Sequence, residues 1–235
     1  MTTIVIPRYE GVTHLDFTGP HQILTSVPGI EVIAASLGGA PIASHGLCFG
    51  NLGELEAIAR ADVLLIPGGL GCVPAMENAR FLKTVRRLAG TADYLTSVCT
   101  GSLILAAAGV LEGRRAACHW AWRDMLRAFG AIPDAARVVR DGRIITGGGV
   151  TAGIDFALSL IAELRGEDAA QSVQLLLEYA PAPPFDAGSP DSAATPIRDA
   201  VRARMAHALS DAERRVHALA RQLRAAQPEP AAEAS

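Results

Sequence analysis

Three observations point to an α/β fold, a mostly parallel sheet flanked by helices on both faces. Several short runs are apolar throughout rather than alternating, as strands buried on both sides must be. Helical stretches separate them one by one. Glycine and proline close the runs where a chain leaving a sheet has to turn. Ala61–Ile66, ended by Pro67-Gly68-Gly69, shows the first and third together.

In chain order, Thr2–Ile6 is a β-branched strand, followed by a helix opening near Pro20 with Thr18 or Asp16 as its natural N-cap. Ile30–Ser36 is the next strand, ended by Gly38-Gly39, and Leu52–Arg60 carries helical spacing. After Ala61–Ile66 comes the amphipathic helix Arg80–Ala89, then the strand Tyr94–Val98 and the apolar, buried helix Ser102–Ala108. A short strand Arg115–His119 precedes a helix over Trp120–Phe129. Val138–Ile145 holds two strands about Asp141-Gly142, and helices over Ala152–Arg165 and Glu167–Tyr179 complete a domain spanning residues 1–179. Residues 180–195 form a Pro/Gly/Ser/Ala-rich arm. Thr195-Pro196 then opens a long helix over 196–226, whose apolar residues Val201, Met205, Leu209, Val216, Leu219 and Leu223 approach a heptad seam. That seam fits a dimer contact or the chain's own domain. Residues 227–235 are expected to be disordered.

Composition narrows the function. The chain has 235 residues, half of them hydrophobic, and a net charge of −3, which removes the electrostatic case for wholesale nucleic-acid binding. The C-terminal helix carries seven arginines against three acids, yet no second helix completes a helix-turn-helix. Lys83 is the sole lysine, which disfavours Schiff-base chemistry. The longest apolar stretch, Ile104–Leu111, is broken by Gly109 and far short of a membrane span. No targeting segment is expected. Four cysteines without zinc or disulfide spacing suit a reducing, cytoplasmic setting.

The stretch Thr96-Ser97-Val98-Cys99-Thr100-Gly101-Ser102 has a strand-turn-helix character. Such a turn lifts one side chain to a helix N-terminus, where the dipole is expected to lower the Cys99 thiol pKa. The competing reading is a buried, inert cysteine. Cys48, Cys72 and Cys118 lack that setting. In the loop Pro67-Gly68-Gly69-Leu70-Gly71 the backbone N–H groups after the proline could stabilise negative charge, or the segment is an ordinary strand exit. Asp16 lies between Leu15 and Phe17, an apolar frame that would raise its pKa and suit proton donation, unless it only caps a helix. His119, followed by Trp120, is the best-placed histidine for a Cys-His pair, and is equally a structural residue. Gly147-Gly148-Gly149-Val150-Thr151 resembles an anion cradle but lacks the P-loop lysine, and reads as close packing beside the site.

Pro67-Gly68-Gly69, SVCTGS at 97–102 and THLDFTGP at 13–20 together resemble the ThiJ/PfpI family of the glutamine amidotransferase-like superfamily. The likeness spans about residues 3–192 and includes the APAPPF arm. More narrowly, LDFTGPH with that arm looks like the family's isonitrile-hydrating branch. The resemblance implies a flavodoxin-like sandwich with Cys99 as nucleophile, Asp16 as general acid/base and Thr100 as helper. It further implies Gly69 and Leu70 N–H groups lining the site, a homodimer, and conversion of an isonitrile to a formamide with no cofactor or metal. His119, Trp120 and Gly148 would stand just behind the reacting groups. Thr100 and Asp16 occupy places where peptidase- and deglycase-like branches carry His and Glu, which argues against proteolysis. A glyoxalase or deglycase activity, and a ligand-sensing or transcription-regulatory role without turnover, are the alternatives.

Overall fold

Strands with no polar alternation need cover on both faces, and the computed structural model, which describes residues 1–226, supplies it. The first half comprises β1 (Thr2–Arg8), α1 (Leu15–Leu24), β2 (Ile30–Ser36), β3 (Ile42–Ser44), β4 (Leu47–Phe49), β5 (Gly53–Glu54), β6 (Val63–Ile66), α2 (Cys72–Glu77) and α3 (Ala79–Ala89). The second half comprises β7 (Tyr94–Val98), α4 (Gly101–Ala107), β8 (Arg115–Ala117), β9 (Ile132–Asp134), β10 (Val138–Asp141), β11 (Ile144–Gly147), α5 (Ala152–Arg165), α6 (Glu167–Leu176) and α7 (Thr195–Ala225).

The main sheet runs β10-β11-β7-β6-β1-β2-β5 and is parallel except for β10. Its helices fall into two groups, α1 with α5, and α2, α3 and α4 with one another. All four residues of β6 are fully buried at the centre. Because β1, β6, β7 and β11 are parallel neighbours, their carboxyl ends open side by side. In register, Ile66 faces Ser97 and Val98 faces Gly147. Ligands of open α/β sheets bind at such an edge.

Four expectations are corrected. Leu52–Arg60 is not a helix: Gly53–Glu54 pairs with the end of β2, and only a single 3-10 turn follows at Leu55–Ala57. Sheet-edge pairing overrides the helical spacing, with Leu55 fully buried and the Glu56 carboxylate accepting the Gly38 N–H at 3.0 Å. Trp120–Phe129 is a 3-10 segment from Arg123 only, shaped by burial of Met125, Leu126 and Ala128. The first helix starts at Leu15 rather than near Pro20, so neither Asp16 nor Thr18 caps it. Finally, α6 ends at Leu176. The β3–β4 hairpin, α2 and β9 carry too few residues to show a period.

The arm leads into α7, whose two halves differ. Ala212, Val216 and Ala220 are buried against the 3-10 segment, α2 and α4 of the same chain. The Arg215 guanidinium pairs with Glu77, and Arg224 Nη1 donates to the Ala128 carbonyl at 2.6 Å. Along the first half, Val201, Met205 and Leu209 are only half-buried. The tail at 227–235 lies outside the described residues. Among the described residues no helix is long and apolar enough to cross a membrane.

Val216 is the only large side chain that α7 buries completely. Val216→Ala should therefore cost about 2 kcal/mol, lowering Tm by roughly 4–8 °C. An unchanged thermal melt would show that the helix is not held by this contact.

Candidate active site

Cys99 is the first residue beyond β7 and adopts φ of +60°, a left-handed conformation that a residue with a side chain rarely takes. The turn is over-determined by its surroundings. Its N–H points at the carbonyls of Gly147 and Gly148, at 3.0 and 2.8 Å. Directly after it, every residue of α4 is buried. Ser102 Oγ lies 2.8 Å from Ser97 Oγ and donates to the Ala117 carbonyl at 2.5 Å, tying β7, α4 and β8 together. Gly101 approaches Ile66 so closely that a Cβ would stand 2.1 Å from its carbonyl oxygen.

The neighbouring strand exit supplies the second wall. A Cβ on Gly68 would lie 2.8 Å from Cys99 Cβ, 2.7 Å from Asp16 Oδ2 and 2.5 Å from the Thr100 nitrogen. Thus the backbone of one glycine is all that separates the carboxyl, the cysteine and the start of α4. Gly68 N–H donates to Asp16 Oδ2 at 2.9 Å, and its carbonyl accepts the Thr13 N–H at 2.8 Å. The Tyr9 hydroxyl donates to the Pro67 carbonyl at 2.7 Å. Sequence reasoning places Gly68 in a strand exit whose amides could stabilise negative charge, and does not foresee its close packing against Asp16 and Cys99.

Asp16 is fully buried and its Oδ1 has no hydrogen-bond partner. Burial pushes its carboxyl up to about 7, against the opposing pull of the Cys99 thiol and the Gly68 N–H. That is the direction its apolar frame predicts. The thiol departs from expectation. Burial first, and the nearby Asp16 second, drive Cys99 well above the ordinary thiol value, outweighing the Thr100 N–H at the helix start. At neutral pH the resting sulfur is therefore a thiol beside a partly ionised carboxyl. Cys99 is 4% exposed, so a narrow opening reaches it.

Thr100 Oγ1 accepts the Gly69 N–H at 2.8 Å and lies 3.0 Å from the Gly69 carbonyl oxygen. The expectation of a free Gly69 N–H is thus corrected: the threonine hydroxyl occupies it and locks the two strand exits. Leu70 is largely exposed at the rim. Gly148 backs the elbow through the hydrogen bond just described. His119 does not join Asp16 and Cys99 in a hydrogen-bonded set; its Nδ1 accepts the Ala121 N–H at 3.3 Å, and burial lowers its pKa. His119 and Trp120 instead line a neighbouring cavity of about 330 Å³ with Cys118 and Gly148. Cys72, expected to lack a strand-to-helix setting, begins α2 directly beyond the loop after β6, where burial pushes its thiol up to about 11.

One charged residue escaped sequence reasoning. Arg8 ends β1, is 2% exposed, and leaves Nε and Nη1 without partners. Its guanidinium carbon lies 3.5 Å from the ring centre of Phe17, the residue after Asp16, and burial lowers its pKa to about 9. An arginine closing an otherwise apolar strand was the available signal.

Elbow, buried carboxyl and parallel sheet together define the class: residues 2–163 match the DJ-1/PfpI family, and the chain belongs to it. It is 51% identical over 202 residues to the isonitrile hydratase of Pseudomonas putida, covering 86% of this chain and 89% of that one. The crystal structure of a ThiJ/PfpI family protein from Pseudomonas syringae superposes with a TM-score of 0.88 at 41% identity, covering 93% of this chain and 90% of that one. The HTH-type transcriptional regulator CdhR of Pseudomonas aeruginosa is 34% identical over 140 residues, 58% of this chain and 41% of the regulator.

Because folding raises the Asp16 pKa, its stabilising contribution is complete below about pH 4 and is lost as pH rises through about 7. The penalty for holding it ionised is on the order of 4 kcal/mol. Asp16→Asn should therefore raise Tm at about pH 8 and change it little at about pH 4.5. An Asp16→Asn variant that melts at or below the wild-type temperature at about pH 8 would contradict this electrostatic assignment.

Proposed function

We propose that this chain hydrates isonitriles, adding water to R–N≡C to give an N-substituted formamide. The observation that carries the proposal is the meeting of Asp16 and Cys99 across Gly68. The isonitrile hydratase of Pseudomonas putida, matched over most of both chains, supports the same reading.

An isonitrile's terminal carbon accepts both a nucleophile and a proton, so the chemistry needs one sulfur and one carboxyl. Asp16 carboxylate takes the proton from the Cys99 thiol as sulfur attacks that carbon, then delivers it to the same carbon. The product of this half is a thioimidate, R–N=CH–S–Cys99. The carboxylate next removes a proton from water while oxygen adds to the carbon, and Asp16 then passes that proton to nitrogen. Collapse of R–NH–CH(OH)–S–Cys99 expels the sulfur, which recovers its proton as R–NH–CHO leaves. The cycle closes on Cys99, Asp16 and water, with no cofactor.

Thr100 holds the Gly69 strand exit at the position that Asp16 and Cys99 require. The N–H of Leu70, a residue exposed at the rim, is the donor we assign to the reacting nitrogen, while the Gly148 carbonyl accepts the Cys99 N–H. His119 and Trp120 shape the approach to the site. Exposed Leu175, Leu176 and Phe185 support a homodimer, and four unpaired cysteines support a cytoplasmic setting.

Cys99→Ala should abolish formamide production from a model isonitrile, followed by chromatography of the product. Wild-type activity in that variant would end the proposal. kcat/KM should rise with pH through about 7 as Asp16 gains its charge, then level while the thiol stays protonated. A flat profile between about pH 5 and pH 8 would remove Asp16 from the reaction. A glyoxalase would release lactate from methylglyoxal, and a sensor without turnover would bind an isonitrile saturably and yield no formamide.

A further inference from the structure

The cavity beside the elbow is built for more than a bare isonitrile group. Its inner wall includes Gly148, whose carbonyl lies 2.8 Å from the Cys99 nitrogen, and Cys118, whose thiol stands close enough to raise that of Cys99. Cys99 does not itself line this space of about 330 Å³, which adjoins it through Gly148 and Cys118 and is where we place the substituent of an isonitrile attacked by Cys99. Trp120 forms an aromatic wall, and Gly188–Asp191 of the arm form the outer side.

The polar lining has a sign. Arg123 faces the cavity, and nearby carboxylates are already paired with other arginines: Asp124 with Arg127, Asp134 with Arg115, and Asp155 with Arg137. Gly149, Val150 and Thr151 also line the cavity at the amino end of the fourteen-residue α5. Their N–H groups donate to no acceptor among the described residues, and the helix dipole favours an anion there. The one carboxylate in the lining is Asp191, on the exposed arm.

Building on the hydratase reading, we propose that the preferred substrates are isonitriles whose substituent carries a carboxylate or a similar anion. Arg123 and the amino end of α5 bind that group while Trp120 packs against the intervening hydrocarbon. Arg123 is thus a specificity-determining residue. A guanidinium suits a carboxylate because its fork donates two parallel hydrogen bonds. A site built to pair an anion discriminates against its neutral ester, which leaves those donors unsatisfied.

The test compares 4-isocyanobenzoate with its methyl ester on wild type, Arg123→Gln and Asp191→Asn. Wild-type kcat/KM should favour the acid by about tenfold or more, the scale of one charge-assisted hydrogen bond. Arg123→Gln should bring the acid-to-ester ratio near one, and Asp191→Asn should raise it. Equal use of acid and ester by wild type, or a ratio insensitive to Arg123→Gln, overturns the inference while leaving the hydratase reading intact. Hydration of neither compound instead overturns the hydratase reading. Calorimetric titration with 4-formamidobenzoate tests the cavity without turnover: Arg123→Gln should weaken binding about tenfold, and equal affinity overturns the anion site.

Discussion

A carboxyl and a thiol buried side by side hold one negative charge far more readily than two. That constraint organises this molecule's working edge. Asp16 and Cys99 approach across the backbone of Gly68, where a methyl group would collide with both and with the start of α4. A proton removed from one can therefore pass to the other. An exposed thiolate at a helix end would behave differently, reacting freely with any electrophile or oxidant. Burial keeps the sulfur protonated at rest, and in the proposed reaction the carboxyl activates it only when a substrate carbon arrives.

The arrangement concentrates unfavourable features in one place. Cys99 has a left-handed backbone, and among the described residues Asp16 Oδ1 and the Nε and Nη1 of Arg8 are buried without hydrogen-bond partners. Each would destabilise an isolated segment. Here they are held by the surrounding fold, with β6 sealed at the centre, α4 buried along its length and Thr100 bonded to both polar groups of Gly69. Phe17 lies under the Arg8 guanidinium at the first turn of α1, so the residue beside the carboxyl is anchored by a charge with no ion partner among the described residues. Stability is supplied by the sheet and helices, while the strand exits retain the strain.

Much of this was legible in the residues, for identifiable reasons. Ala61–Ile66 and Tyr94–Val98 announce a parallel sheet because strands covered on both faces carry uninterrupted apolar side chains. Cys99 and Asp16 stand out because a polar group between a strand and an apolar helix, or between Leu15 and Phe17, needs a reason to be there. Leu52–Arg60 misled because edge pairing decided what local spacing could not. The thiol's electrostatics were misjudged for a related reason: a dipole at a helix start is a local feature, whereas desolvation depends on every layer packed above the sulfur. Gly69's amide shows the same limit, since its partner Thr100 lies thirty-one residues away and sequence spacing carries no trace of that bond.

The proposed reacting groups and the outer wall of the neighbouring cavity fall in different parts of the chain. Asp16, Gly68, Cys99 and Thr100 all lie within residues 2–163, the segment matched by the family as a whole. The cavity next to them is closed by Gly188–Asp191, beyond that segment, and the long helix after the arm docks its second half on the same chain through Val216. Docking of α7 fixes the downstream end of the arm, and Arg202 on that helix sits 5.5 Å from the Trp120 ring. Changes in the arm can therefore alter what enters the cavity without disturbing the proton-sharing pair. The strained turn at Cys99 is held by several strand exits at once, whereas the arm meets the cavity only at its outer side. One sheet edge can thus keep the proposed reaction while the appended segment changes only the outer wall that a substituent in the neighbouring cavity would meet.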